Sequence, residues 1–324
     1  SNSELIIKFA RHAKNAGAHI ALFPEMVLTG YPVEDFALRP SFRAASRKAL
    51  VALAHQITAA EFGQMVLVVG YLDETDGAPQ NAIALIQAGE LKARYIKYHL
   101  PNYGVFDEFR NFVPGTQSLV ARICGIDIGF AICEDIWQNR GPVAQLAERN
   151  VGLVVVPNGS PYERNKDDQR LALVQERARG FGAALAYVNM TGGQDDLVFD
   201  GDSILVDSSG EVLMRTKQFE DQLAIHDLVL PLATSNPDVI ITGENVGVEG
   251  TMHGGIAQRK DDLAEIWEAL KAGLRDYVNK NGFKSVVLGL SGGIDSAIVA
   301  SIAVDALGAD KVYGVGLPSK YSSD

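Results

Sequence analysis

The chain has little of what would mark it as secreted, membrane-spanning or built to grip nucleic acid. Cysteine is nearly absent: Cys124 and Cys133 are the only two in 324 residues. They show neither a disulfide framework nor Cys-x-x-Cys spacing, so a reducing cytoplasm is the expected compartment. No apolar run approaches the roughly 20 residues needed to span a bilayer, and no signal-peptide pattern opens the chain. Positive charge is outweighed, 29 Lys and Arg against 40 Asp and Glu, for a formal net charge of −11. That balance argues against nucleic acid or an anionic membrane as a partner. The six histidines form no His-Glu-x-x-His and no ligand cluster, so no protein-bound structural metal is expected. What is present is apolar: 47% hydrophobic residues suffice for one large core and the start of a second.

Residues 3–230 alternate helical and extended patterns. An apolar-periodic helix over 3–17 (Leu5, Ile6, Phe9, Ala13, Ala16) ends at Gly17, before a strand at 20–23. A helix over about 41–62 precedes a strand at 65–69. Strands at about 81–87 and 90–99 form a hairpin through Ala88-Gly89. Strands at 126–132, 152–156 and 185–189 are separated by helices near 141–150 and 167–183, and more strands fall within 203–229. Strands this apolar are buried on both faces, so helices should cover the sheets in a layered α/β domain. From Pro231 to about Arg259 the periodicity stops and Pro, Gly, Asn and Thr dominate, which reads as a linker. Asp261 or Asp262 then caps a helix ending at Asn281-Gly282. The expected division is a domain at 1–230, a linker at 231–260 and the beginning of a second domain at 261–324. That last part is too short for a doubly wound nucleotide-binding domain, and no strand or initiator Met precedes the first helix, so the sequence reads as a fragment.

The second domain carries the most specific motif. Val286-Val287-Leu288-Gly289-Leu290 turns through Ser291-Gly292-Gly293-Ile294-Asp295-Ser296 into an alanine-rich helix. Such a turn presents backbone N–H groups at a helix N-terminus, where the macrodipole favours an anion. The two glycines put no Cβ between chain and phosphate, and Ser291 and Ser296 add hydroxyls. No Gly-Lys-Ser/Thr follows, so this is not a Walker A loop. The match resembles the pyrophosphate loop of the ATP pyrophosphatases, enzymes that adenylate a carboxylate or amide oxygen. The resemblance implies ATP as nucleotide, held by Ser291, Gly292, Gly293, Ile294, Asp295 and Ser296. It also implies a Mg²⁺ ion with Asp295 as one ligand.

In the first domain three polar residues stand where buried strands end: Glu25 after Ala21-Leu22-Phe23-Pro24, Lys97 in Arg94-Tyr95-Ile96-Lys97, and Cys133 after Gly129-Phe130-Ala131-Ile132. Ligand crevices form at carboxyl ends of strands in α/β sheets. Converging there, the three would supply a nucleophile, a proton shuttle and a cation for a developing oxyanion. The lysine should lower the cysteine pKa. Taken singly, each has a blander reading: a core thiol, a solvated turn carboxylate and an outward strand lysine. Cys124 has only the core reading.

The whole stretch decides between them. Phe23-Pro24-Glu25, Leu28-Thr29-Gly30-Tyr31-Pro32, Lys97-Tyr98-His99-Leu100-Pro101 and Ile132-Cys133-Glu134-Asp135 resemble, in order and context, the nitrilase or carbon–nitrogen hydrolase superfamily. Residues 200–212 are similar to its late strand pair. The resemblance implies an α-β-β-α sandwich and a catalytic Glu25 (general base), Lys97 (oxyanion stabiliser) and Cys133 (nucleophile forming a thioester). The segments 100–110 and 157–162 are similar to the glutaminase domain of the glutamine-dependent NAD synthetases. That likeness implies a glutamine pocket lined by Tyr103, Glu108 and Ser160, with Glu108 near the triad. Leu317-Pro318-Ser319-Lys320-Tyr321-Ser322-Ser323 resembles the segment after the second strand of the same family.

Together the resemblances imply an α/β chain with a nitrilase-like sandwich followed by the first part of an ATP-pyrophosphatase domain. Glutamine would be hydrolysed at Cys133, and the ammonia would amidate adenylated deamido-NAD to give NAD, AMP, pyrophosphate and glutamate. Glutamine, deamido-NAD and ATP are then the partners, and an even-numbered homo-oligomer is implied by resemblance alone. A nitrilase-type amidase acting alone, another ATP-pyrophosphatase amidotransferase and a binding or scaffold protein with a degenerate site stand as the alternatives.

Overall fold

The computed structural model describes residues 1–247 and 252–316; the segment 317–323 singled out above lies outside them. In chain order the elements are α1 (Asn2–Asn15), β1 (Ile20–Leu22), α2 (Pro40–Gln56), α3 (Ala59–Phe62), β2 (Val66–Thr75), β3 (Ala78–Gln87) and β4 (Glu90–Ile96). Next come α4 (Glu108–Asn111), β5 (Leu119–Ile123), β6 (Ile126–Phe130), α5 (Pro142–Ala147), β7 (Leu153–Asn158), α6 (Lys166–Phe181) and β8 (Ala184–Asn189). The first region closes with β9 (Thr191–Gln194), β10 (Leu197–Asp200), β11 (Ile204–Val206), β12 (Val212–Arg215) and β13 (Val239–Ile240). Beyond it lie α7 (Asp262–Lys280), β14 (Val286–Leu290), α8 (Ile294–Leu307) and β15 (Val312–Gly316).

Alternation along the strands builds two sheets and three apolar layers. In β2, Leu67, Val69 and Tyr71 pack outward with α1 and α2 residues such as Ile6, Ala10, Leu50 and Leu53. Val66 and Val68 face the opposite way, onto Ile128, Leu153, Val155 and Leu205. On the far side Val154, Val156 and Leu185 meet Val174 and Ala178 of α6. One sheet runs β1-β2-β3-β4 and the other β12-β11-β8-β7-β6-β5-β13. This is the expected α-β-β-α sandwich, its period-2 strands burying one face on helices and the other on a second sheet.

The departures are local. The helix expected at 41–62 breaks at Ile57, and Thr58 caps α3 by accepting from the Glu61 N–H. β4 stops at Ile96 rather than residue 99. β2 and β3 are longer than expected because they meet in a tight turn, Asp76-Gly77, with both residues at positive φ. The Ala88-Gly89 turn also has positive φ at both residues, as a type I′ hairpin requires. After β12 the extended segment to residue 230 forms no strand.

Among its described residues the region 231–260 has no long helix or strand, and parts of it are bound to the sandwich. β13 pairs parallel with β5, Ala233 N–H donates to Gly125, and Arg122 donates to the Ser235 carbonyl at 2.6 Å. Arg259 is ion-paired with Asp167, with Asp202 at 2.7 Å and with Glu265 at 2.9 Å. Backbone groups at Ala233, Asp238 and Ile241 are thus satisfied at the edge of the sheet.

Beyond it, α7 packs on the β9–β10 hairpin. Gly193 and Gly273 approach so closely that a Cβ on Gly193 would lie 3.0 Å from the Gly273 Cα. Asp276 accepts from the Gly193 N–H at 2.7 Å, and Lys280 donates to the Gly193 carbonyl at 2.6 Å. β14, α8 and β15 form a parallel β-α-β unit.

Candidate active site

Glu25, Lys97 and Cys133 meet at one end of the space between the two sheets. Each arrives by a different route. Glu25 follows β1 in a loop laid against β2, where Gly70 is obligatory: a Cβ there would sit 2.2 Å from the Met26 nitrogen. Lys97 follows β4, and its N–H donates to the Asn81 carbonyl of β3 at 2.8 Å, which extends the hairpin by one residue. Lys97 is therefore in phase with Tyr95, which faces the inter-sheet core. Cys133 opens the 3-10 turn Cys133–Ile136 after β6, with φ of +44°. A non-glycine residue in that region is held there by its surroundings and marks a site under strain.

Asp135 supplies that constraint. Fully buried, it accepts from the Ile132 N–H at 2.9 Å, from Tyr95 Oη at 2.7 Å, and from the Tyr98 and His99 N–H groups at 3.1 and 2.7 Å. One carboxylate thus fastens the cysteine turn to the segment carrying the lysine. Asp135 has no role legible in sequence, since all its partners but Ile132 lie 36 to 40 residues away.

The polar core is buried and crowded. Lys97 Nζ donates to Glu25 Oε1 at 2.7 Å and to Glu108 at 2.9 Å, and none of the three side chains is more than 4% exposed. Glu25 Oε1 also accepts from Asn81 Nδ2 at 2.7 Å, and its Oε2 accepts from the Gly159 N–H at 2.7 Å. Tyr31 Oη donates to Glu108 at 2.8 Å. Burial alone would discharge Lys97, but Glu108 and Glu25 outweigh it and hold the ammonium well above the usual lysine range. Burial raises Glu108 to about 7, with Lys97 opposing and Glu25 reinforcing the rise.

The thiol behaves differently from expectation. Burial, then the charge on Glu25, push the Cys133 thiol well above its usual range; Lys97 pulls the other way, and Glu108 and Glu134 add to the rise. The lysine does not produce a resting thiolate, because desolvation and three carboxylates outweigh it. Cys133 is therefore a buried thiol, and Glu25 carries the charge that acts on it most strongly.

The remaining pocket residues divide. Glu108 is part of the charge cluster itself. Tyr103 is largely exposed, yet its hydroxyl donates at 2.7 Å to Glu134, the residue after Cys133. Glu134 is buried and also accepts from Gln138 at 2.9 Å. Ser160 is buried one residue beyond Gly159. Its N–H donates to Asn189 Oδ1 at 2.9 Å, and its carbonyl accepts from Arg170 at 3.1 Å. Arg170 is itself locked to Asp200 at 2.7 Å. Asn81, Tyr31 and Gly159 were not singled out as site residues. Asn81 carried a signal: it is a polar residue in phase with the inward-facing Ile83 and Leu85.

The loop 291–296 belongs to the β14-α8 unit. Gly292 has φ of +83° and nothing within 4 Å of where a Cβ would stand. Ser296 Oγ donates to the Gly293 carbonyl at 3.0 Å and accepts from the Ser291 N–H at 3.2 Å. Ser291 Oγ accepts from the Gly293 N–H at 3.3 Å. Ile294 and Asp295 occupy the first turn of α8, with Ile294 79% exposed. Among the described residues the loop keeps the space at Gly292 clear at the N-terminus of α8. Among the described residues no cluster of three or more His, Cys, Asp or Glu side chains could hold a metal, so Asp295 stands alone as a candidate ligand. Nor is any described helix long and apolar enough to cross a membrane.

Comparison with known proteins follows the same division. The carbon–nitrogen hydrolase family matches residues 1–237, and the NAD synthase family matches residues 266–324. The chain is 42% identical over 326 residues to a glutamine-dependent NAD(+) synthetase of Xylella fastidiosa, covering 100% of this chain and 56% of that protein. It is 41% identical over 339 residues to the enzyme of that name from Thermotoga maritima, covering 99% and 58%. The chain thus spans about half the length of the curated relatives it matches. A glutamine-dependent NAD+ synthetase from Acinetobacter baumannii, solved with ADP, is 37% identical with a TM-score of 0.86 over 99% of this chain and 57% of that one. An amidase of the nitrilase superfamily from Nesterenkonia AN1 aligns with a TM-score of 0.58 at 26% identity, covering 68% of this chain and 80% of that one.

Proposed function

The chain belongs to the carbon–nitrogen hydrolase family, and from that premise we propose that it is the glutaminase part, with the beginning of the ATP-dependent part, of a glutamine-dependent NAD synthetase. In this reading Cys133 Sγ attacks the side-chain carbonyl carbon of glutamine as its proton passes to Glu25. Lys97, held charged between two carboxylates, stabilises the oxyanion that develops. The tetrahedral intermediate collapses, the C–N bond breaks, and ammonia leaves with the proton from Glu25. Water, deprotonated by Glu25, then cleaves the thioester to glutamate and restores the thiol. Water and glutamine in, glutamate and ammonia out, balances the cycle.

The observation that carries this reading is the buried contact of Lys97 with Glu25 and Glu108 beside a strained cysteine. Glu134, Tyr103 and Ser160 would form the substrate pocket. A buried carboxylate beside the nucleophile suits an amino-acid substrate, whose α-ammonium can pair with it, better than a plain amide. The ATP phosphates would rest on the N–H groups of Gly292, Gly293 and Ile294, with the Ser291 and Ser296 hydroxyls and with Asp295 contributing to a Mg²⁺ carried by the nucleotide. ATP supplies activation of the deamido-NAD carboxylate as an adenylate, which ammonia displaces as AMP. A cytoplasmic location and an even-numbered homo-oligomer complete the proposal by resemblance.

The test is nitrogen source. In the full-length polypeptide, Cys133→Ala should abolish NAD formation from glutamine while free ammonia still supports it. Equal loss with both sources would refute the division of labour. A scavenger of free ammonia tests transfer between the sites: if it removes all glutamine-driven product, no protected route connects them.

A further inference from the structure

Two carboxylates this close to one lysine need something to keep them distinct. Lys97 touches both Glu25 and Glu108, so it cannot by itself fix which oxygen of Glu25 is left to take a proton. Asn81, 1% exposed, projects from β3 into the same space and touches both carboxylates, Glu25 Oε1 at 2.7 Å and Glu108 Oε1 at 3.5 Å. Its amide nitrogen, the donor end of the side chain, is turned toward both carboxyl oxygens. The cost is visible: Asn81 Oδ1 is buried without a hydrogen-bond partner among the described residues. Such an arrangement survives only if the surroundings impose it.

We propose that Asn81 is a positioning residue of the amide-hydrolysing site. By occupying Glu25 Oε1 together with Lys97, it leaves Oε2 as the atom that exchanges a proton with the Cys133 thiol and with the leaving ammonia. Oε2 has one donor, the Gly159 N–H, and so keeps a lone pair free; Oε1 has two donors. The Gly159 peptide can approach because position 159 has no side chain: a Cβ there would stand 3.0 Å from the Tyr31 ring. The charged and titratable groups facing this pair are Lys97 after β4, Cys133 and Glu134 after β6, Tyr31 from a loop and Glu108 at the start of α4. The Asn81 N–H dipole offsets part of the negative field that these carboxylates place on the thiol.

This inference rests on the functional reading above, and the test has two arms that separate them. Full-length polypeptides carrying Asn81→Ala or Asn81→Asp would be assayed for glutamate release from glutamine. In parallel, Cys133 alkylation by iodoacetamide would be followed by mass spectrometry across pH, and thermal unfolding recorded. Asn81→Ala should lower kcat roughly 10- to 100-fold, the scale of one hydrogen bond to a charged group, with KM unchanged. Its alkylation profile should move to higher pH. Asn81→Asp keeps the shape but replaces the donor by a third carboxylate, and should fall further and shift further. A loss confined to KM would overturn the proposal. So would a loss of kcat that tracks thermal destabilisation while the alkylation profile stays in place. If the unaltered protein releases no glutamate, the glutaminase reading fails, and the alkylation arm still decides the role of Asn81.

Discussion

The two candidate sites of this chain face opposite problems. The Glu25–Lys97–Cys133 site is sealed between sheets and its charges are already paired with one another. In the loop at 291–296 the hydroxyls bond, among the described residues, within the loop. Breaking an amide needs proton donors and acceptors tuned by burial and fixed before substrate arrives. Holding a phosphate needs backbone N–H groups at a helix end and room for the anion. The first therefore demands many long-range contacts, while the second fits into six consecutive residues.

If that contrast is right, substitutions in one region should leave the other intact. The largest effect is expected from Glu25→Gln, which removes the proton acceptor and should slow glutamate release roughly 10²- to 10⁴-fold; ATP binding measured by calorimetry should not change. Lys97→Met should cost roughly 10²- to 10³-fold as an oxyanion donor is lost. It also leaves two buried carboxylates without their cation, so the melting temperature should fall, and an unchanged melting temperature would show that the ion pairs add little to stability. Gly292→Ala forces a Cβ into left-handed backbone at a cost of roughly 1–2 kcal/mol. ATP affinity should weaken by about tenfold or more, while Cys133 alkylation stays the same.

The smallest change sharpens the comparison most. Because Glu108 titrates at about 7, a folded carboxyl raised above its unfolded value of about 4.3, its contribution to stability is complete at low pH and is lost as pH rises through 7. Glu108→Gln should flatten that slope in denaturation measured at several pH values. It also removes one of the charges raising the thiol, so Cys133 should alkylate a few-fold faster above pH 7 even as catalysis slows. Slower alkylation would mean that Glu108 favours the thiolate.

The same contrast explains what could be read from the residues in advance. The loop was legible as a motif because its geometry is local. Glu25, Lys97 and Cys133 were legible because each follows an apolar strand and because their neighbours resemble one family. Asn81 was harder: its partners Glu25 and Glu108 lie 56 and 27 residues away, and only its phase with Ile83 and Leu85 hinted at an inward polar group. The thiol's raised pKa was missed because one nearby lysine was weighed without the carboxylates that the fold adds. The layered α/β arrangement could be read from the apolar strands and the sandwich from the family resemblance, whereas the sheet-edge contacts made within 231–247 depend on partners that composition does not reveal.

Those sheet-edge contacts have a mechanical consequence. Between β13 and the Arg259 ion pairs the chain crosses from the sandwich to α7 with both ends moored, so the join acts as a bracket rather than a leash. A single protease cut between Gly243 and Gly255 should leave the two pieces migrating together on a sizing column. The helix that leads to the nucleotide loop would then keep its seat on the β9–β10 hairpin without an unbroken backbone.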